Sequence, residues 1–139
     1  TIMAVGVSFL SGSLIDRHGA TKLIGFYQIP AVFGFYVFSI CETVMGFSIG
    51  LILFAVTAGS NNIIPNAFWA ECFGTSHLGR IKSLAAGIMV IGSALGPLIS
   101  GVLIDVGFNL NSQYILFATY FILSSALLFA CTRKILVNN

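Results

Sequence analysis

The stretch GSLIDRHGATK, residues 12–22, decides how this chain folds. It lies between two apolar segments, and the adjacent opposite charges of Asp16 and Arg17 end the first of them. Gly12 permits the close approach of another helix, and Gly19 permits the positive φ that a tight turn needs. The stretch therefore predicts a short, charged reversal between two membrane helices.

The composition indicates that lipid surrounds most of the chain. Apolar residues make up 58% of the 139 residues, and the mean hydropathy is +1.03. Charged residues make up 7%, against roughly 25% in ordinary soluble domains. A soluble domain of this length cannot hide so much apolar surface. The three cysteines show no metal-ligand spacing, so we expect buried thiols and neither a metal site nor a disulfide framework.

Five apolar segments predict an all-α membrane protein with five transmembrane helices. Three of the segments are near the ~20 residues that cross the hydrocarbon core. The first segment is short and the chain begins inside it, which indicates that further sequence precedes Thr1. The predicted helices are residues 1–15, 23–41, 44–73, 83–104 and 114–132.

The basic residues predict the orientation of these helices. All six fall between the first and second segments, between the third and fourth, or after the fifth; they are Arg17, Lys22, Arg80, Lys82, Arg133 and Lys134. Loops rich in Lys and Arg remain in the cytoplasm. We therefore predict that these two loops and the C-terminus are cytoplasmic.

The opening stretch resembles the loop signature of the major facilitator superfamily of secondary transporters. The signature is Gly-x-Leu-x-Asp-Arg-x-Gly followed by a basic residue, and the matching residues here are Gly12, Leu14, Asp16, Arg17, Gly19 and Lys22. The fuller pattern has two basic residues directly after the second glycine, where this chain has Ala20 and Thr21. The resemblance implies a conformational-switch loop whose charge network is thinner than usual.

The fourth segment extends the resemblance along nearly the whole chain. Gly96 and Pro97, followed by Gly101 and Asp105, are similar to the eleventh helix of the family. The five segments then resemble helices eight to twelve, part of the family's helical bundle. Residues 73–74 (Phe-Gly) and 79–80 (Gly-Arg) are similar to a monocarboxylate-porter-like bacterial branch.

The small residues of the fourth segment have a simpler interpretation beside this resemblance. Gly92 and Gly96 form a face that allows close helix packing, and Pro97 kinks or bends a helix. We favour packing and kinking as the roles of Gly92, Gly96, Pro97 and Gly101.

Three asparagines in the third segment are the candidate substrate contacts. Asn62 and Asn66 share a helical face, whereas Asn61 and Asn62 point about 100° apart, so we do not expect both to face one neighbour. Amides at mid-membrane depth need partners or a wet cavity. Contact with a substrate and hydrogen bonding between helices both remain open.

Two charged residues flank the turn after the third segment. Glu71 precedes this turn and Arg80 follows it. Either they pair with Asp16 and Arg17 as cytoplasmic latches, or they only mark the membrane interface.

The resemblance implies part of a secondary active transporter that moves a small solute by alternating access. Its partners would be the solute, with or without a coupling ion, the lipid bilayer, and the missing N-terminal helices of the same transporter. A plasma membrane, as in a bacterial inner membrane, is the expected location. The alternative is a membrane-integral module or truncated remnant that does not transport. No motif for an enzyme, a cofactor or nucleic-acid binding is present in the sequence.

Thiol labelling tests the orientation. In a variant without native cysteines, single cysteines replace His18, Glu42, His77 and Asn109 in turn. We expect an impermeant reagent, added outside intact cells, to label positions 42 and 109 and to spare 18 and 77, because basic loops stay inside. External labelling at 18 and 77 would reject the orientation.

Overall fold

The computed structural model describes residues 2–137, which form helices and turns without a strand. Its helices are α1 (Ile2–His18), α2 (Ala20–Leu23), α3 (Ile29–Ile40), α4 (Val44–Asn61), α5 (Ile64–Phe73), α6 (Leu78–Asp105) and α7 (Leu110–Val137). Since α2 and α3 share one apolar segment, and α4 and α5 share another, these helices make up five segments. The all-α fold class predicted from the sequence is confirmed.

Three stretches are long and apolar enough to cross a membrane, judged by length and composition. They are Val44–Phe73, Leu78–Asp105 and Leu110–Lys134, with 30, 28 and 25 residues. Many of their large apolar side chains are exposed, which suits helices whose solvent is lipid. The described chain therefore has the architecture of a multi-pass membrane protein.

Several helices extend further than the apolar pattern predicted. α6 begins at Leu78 and α7 at Leu110, five and four residues before the predicted starts. α1 continues to His18. Hydropathy marks the part of a helix that fits the hydrocarbon core, whereas the helix continues until a residue ends it. For α1 that residue is Gly19, whose φ is 81°.

The predicted helix 23–41 is interrupted in the structure. α2 ends at Leu23 and α3 begins at Ile29, with turns between them. Pro30 is the second residue of α3, and a proline inside a continuous helix removes a hydrogen bond and clashes with the carbonyl four residues earlier. The expectation of one continuous helix is therefore corrected to two.

A second proline interrupts the segment 44–73. α4 ends at Asn61 and α5 begins at Ile64, with Pro65 as its second residue. The Asn66 side chain compensates for the break, because its Nδ2 donates to the carbonyl oxygen of Asn62 at 2.7 Å. An unsatisfied carbonyl in lipid costs several kcal/mol, so this bond stabilises the interrupted helix.

Small residues bring α1 and α4 into close contact. A Cβ atom added to Gly59 would lie 2.5 Å from the carbonyl oxygen of Ala4. Ser8 Oγ lies 3.0 Å from the carbonyl oxygen of Gly59, and the hydroxyl oxygens of Ser11 and Ser60 are 3.1 Å apart. Helices in lipid associate through such close packing and interhelical hydrogen bonds.

Aromatic rings pack α3 between α4 and α7. Phe35 of α3 meets Phe54 of α4 edge to face, with ring centroids 5.1 Å apart. On α7, the centroids of Phe117 and Phe121 lie 5.7 Å and 5.6 Å from that of Phe35. Aromatic pairs contribute about 0.5–1.5 kcal/mol beyond the area that they bury. α3 is therefore the central helix of the packed part of the bundle.

α6 is exposed along its length, and hydrogen bonds near the C-terminal end of α6 connect it to α7. None of the residues of α6 is buried. Gln113 of α7 is 1% exposed; its Oε1 accepts a hydrogen bond from the Ser100 hydroxyl, and its Nε2 lies 3.4 Å from the Phe108 carbonyl oxygen. This buried amide fixes the turn between α6 and α7.

The predicted packing residues of α6 have open space around them. The helix continues through Pro97. Within the described residues, no atom lies within 4 Å of a Cβ added at Gly92, Gly96 or Gly101. Their role in helix packing, and that of Pro97 in bending the helix, therefore stay predictions.

The contact between α1 and α4 can be tested with Gly59→Ala. The added methyl group meets backbone, which cannot rotate away, and overpacking of this kind costs about 1–3 kcal/mol. We expect a lower midpoint of thermal unfolding for the purified full-length protein. Gly6→Ala is the control, since a Cβ on Gly6 of α1 meets nothing within 4 Å. Equal midpoints for the two variants would contradict the close approach.

Candidate functional site

The carboxylate of Glu71 joins the end of α5 to the charged turn. Its Oε1 accepts from the Ala20 N–H at 2.8 Å, and its Oε2 accepts from the Thr21 N–H at 3.0 Å and the Thr21 hydroxyl at 2.8 Å. The first N–H groups of a helix have no partner inside the helix, and negative charge is stabilising there. Glu71 therefore caps the start of α2.

Gly19 gives the turn the shape that this cap requires. Its φ of 81° is costly for any residue with a Cβ. Its N–H donates to the Ile15 carbonyl at 2.8 Å, which closes the end of α1. The chain then enters α2 with the N–H groups of Ala20 and Thr21 directed at Glu71.

The other residues of the predicted switch loop lie at the surface. Gly12 has no atom within 4 Å of an added Cβ. Glu71 contacts this loop through backbone N–H groups and one hydroxyl, which is a different arrangement from the predicted ion pairs. The exposed charged residues are Asp16, Arg17, Lys22 and Arg80.

A first cavity, of about 440 Å³, lies between α5 and α6. We call it the asparagine cavity. Its polar lining includes one formally charged group, the ammonium of Lys82. The polar and aromatic residues that line it are Tyr27, Asn61, Asn62, Asn66, Trp69 and Lys82.

A second cavity, of about 950 Å³, adjoins the first where both are lined by Tyr27, Asn61 and Met89. We call it the mid-span cavity. Residues from α4, α6, α7 and the turn before α3 surround it. Its polar lining residues are Tyr27, Gln28, Thr57, Asn61, Ser93, Tyr120 and Ser124.

The mid-span cavity lies near the middle of the membrane spans that line it. Thr57 is 13 residues from the start of Val44–Phe73 and 16 from its end. Ser93 is 15 residues from the start of Leu78–Asp105 and 12 from its end. At about 1.5 Å per residue, each lies roughly 18–24 Å from either end of its span. Polar side chains at such depth need partners or mark a functional site.

Two polar atoms beside the mid-span cavity have no hydrogen-bond partner within the described residues. They are the buried Thr57 Oγ1 and Gln28 Oε1. The other end of the Gln28 amide is engaged, since Nε2 donates to the Tyr27 hydroxyl at 3.0 Å. A buried polar group without a partner costs about 1–3 kcal/mol, so this pair requires an explanation.

The structure places all three predicted asparagines around the asparagine cavity. Asn61 also lines the mid-span cavity, whereas Asn62 and Asn66 line the asparagine cavity without the mid-span cavity. The expectation that Asn61 and Asn62 face different neighbours stays a prediction. Asn66 also has a local bond to the Asn62 carbonyl, so it supports the helix break as well as lining the cavity.

Sequence reasoning missed the residues that other segments bring to the cavities. These residues of the mid-span cavity include Gln28, Tyr120 and Ser124. Tyr120 and Ser124 are four residues apart on α7 and so share a face, which was a detectable signal. For Lys82 the sequence indicated only a cytoplasmic charge.

No group of three His, Cys, Asp or Glu side chains suited to a metal ion occurs in the described part of the chain. Cys41, Cys72 and Cys131 are free thiols. The chemistry of the site therefore rests on amides, hydroxyls and one ammonium group. Such groups can bind a solute through hydrogen bonds.

Comparison with known proteins identifies the family. The profile of the Major Facilitator Superfamily matches residues 1–137. The chain belongs to the major facilitator superfamily. The members of this family are membrane transporters. The resemblance inferred from the charged turn is therefore confirmed.

A curated relative of this superfamily segment comes from a fungus. The chain is 34% identical over 105 residues to the agnestins efflux protein AgnL12 of Paecilomyces divaricatus. The match covers 75% of this chain and 23% of that protein, so the chain spans about a quarter of the relative's length. No solved structure matches the chain. The monocarboxylate-porter-like bacterial branch stays a prediction.

The Glu71 cap can be tested with Glu71→Gln in the full-length superfamily protein. Glutamine keeps one acceptor oxygen but loses the charge that holds two N–H groups and a hydroxyl. At an exposed site we expect a loss of about 1 kcal/mol. The distance distribution between spin labels at His18 and Ser76 should therefore broaden. Glu42→Gln is the control, because Glu42 is an exposed acid in another loop. An unchanged distance distribution for Glu71→Gln would show that the Glu71 cap does not hold the two loops together.

Proposed function

We propose that this chain forms helices eight to twelve of a secondary active transporter that moves a small solute by alternating access. The missing N-terminal helices of the same protein supply the facing wall of the transport path, and a coupling ion is compatible with the site. The expected location is a plasma membrane with the C-terminus in the cytoplasm. The relative named as an efflux protein supports export as the direction.

The mid-span cavity is the observation that carries this proposal. Transporters bind their solutes near the bilayer midplane, where interrupted helices meet. Here the interruptions after α2 and after α4 both adjoin the cavity, through Gln28 and Asn61. A module that only anchors or assembles has no need for seven polar residues at this depth.

For the same function, the capped turn is the part of the chain that changes between two conformations. Glu71 holds α5 against α2 by bonds that a modest movement would break. A solute shifts the balance of two conformations only by binding one of them better than the other. We propose that Asn61, Asn62 and Asn66 contact the solute, and that the charged loop with Glu71 and Arg80 sets the balance.

Cysteine accessibility at Asn62 tests alternating access without a known substrate. In the full-length protein without native cysteines, we expect Asn62→Cys to react with an impermeant thiol reagent in right-side-out and in inside-out vesicles, since the cavity opens to each face in turn. Phe33→Cys is the control, because Phe33 is an exposed apolar residue of α3 that lines neither the asparagine cavity nor the mid-span cavity. Reaction from one face only, or from neither, would favour the non-transporting module.

A further inference from the structure

The mid-span cavity has a lining without formal charge. Its residues are aromatic, amide, hydroxyl or aliphatic, and neither an acid nor a base is among them. Moving an ion from water into such surroundings is costly unless a counter-charge accompanies it. The described helices therefore offer no counter-charge to an ion bound in this cavity.

The unpartnered oxygen atoms indicate which neutral groups the cavity suits. Gln28 Oε1 is an acceptor without a hydrogen-bond partner among the described residues. The Nε2 atom of the same amide already donates to the Tyr27 hydroxyl. Thr57 Oγ1 both donates and accepts, and Thr57 is 7% exposed. A hydroxyl on the solute would donate to Gln28 Oε1, and a second hydroxyl or a carbonyl would pair with Thr57 Oγ1. The cost of leaving each group without a partner then becomes a gain on binding.

Aromatic side chains supply the remaining walls. Phe54 of α4 and Phe121 of α7 line the cavity together with Tyr120, and the rings of Tyr120 and Phe121 lie 5.7 Å apart, edge to face. Aromatic rings favour stacked or edge-to-face contact with another ring. The volume of about 950 Å³ lies within the range of cavities that hold drug-sized ligands.

We propose that the mid-span cavity binds an uncharged, hydroxyl-bearing aromatic solute, with Thr57 and Gln28 as its polar contacts. This inference rests on the proposed transport function, because it assigns the class of solute. It also assigns Gln28, Tyr120 and Ser124 to the binding site.

A matched pair of probes tests the charge preference. Methyl 4′-hydroxybiphenyl-4-carboxylate is neutral at pH 7, and 4′-hydroxybiphenyl-4-carboxylate has the same rings and one negative charge. Radiolabelled forms are bound to the purified full-length protein in lipid nanodiscs, with empty nanodiscs as a correction for partition into lipid. We expect the ester to bind at least about ten-fold more tightly than the anion.

Variants at Thr57 test the proposed contact. Thr57→Val has nearly the same shape and removes an unpartnered hydroxyl, so we expect the ester affinity to fall about five-fold while the thermal midpoint of the unliganded protein stays equal or rises. Thr57→Ser keeps the hydroxyl and should retain the affinity. Thr119→Val is the matched control, because the exposed Thr119 donates to the Ile115 carbonyl of its own helix and lies outside the cavity.

The outcomes separate this inference from the transport function. Equal binding of the two probes, no binding of either, or wild-type affinity in Thr57→Val would overturn the inference. Access to Asn62 from both membrane faces would in that case leave the transport function standing. Conversely, ester binding that depends on Thr57, combined with access from one face only, would support the site and reject alternating access.

Discussion

The requirement that every backbone N–H and C=O find a partner inside lipid governs this structure. It accounts for the helical fold, and it makes the two prolines consequential, since each removes a donor in mid-segment. At Pro65 the Asn66 side chain supplies the replacement bond to Asn62. At Pro30 the chain forms turns before α3 begins. Both interruptions adjoin the mid-span cavity, so the backbone breaks and the polar site are one feature of the fold.

The helix α5 connects the cavity to the charged turn. Its first turn includes Asn66, which lines the asparagine cavity, and five residues later Glu71 caps α2. At about 1.5 Å per residue these two positions lie roughly 7.5 Å apart along one short helix. A movement of α5 as a rigid body therefore changes the cavity wall and the cap together. In the proposed function, this movement would couple solute binding to the charged loop.

Much of the architecture was predictable because it depends on local properties of the chain. The apolar segments, the glycine turn at Gly19 and the interruption at Pro65 each follow from a few neighbouring residues. The interruption near Pro30 is equally local, although the length of the apolar segment 23–41 predicts one continuous helix. The site was less predictable. The asparagines were identified from their polarity in an apolar segment, whereas Gln28 and Ser124 become site residues only through the packing of separate helices.

The sequence by itself determined that lipid surrounds the helices, that the fold is all-α, where the charged turn lies and which family the chain resembles. These properties follow from hydropathy, charge position and turn chemistry, which act over distances of a few residues. The tertiary structure decided which residues share a cavity. It brought Asn61 and Asn62 to the same cavity and paired Glu71 with backbone N–H groups in place of an ion. It also left Thr57 and Gln28 with oxygens that have no partner among the described residues. These features depend on how helices distant in sequence pack, and no local pattern of residues specifies that packing.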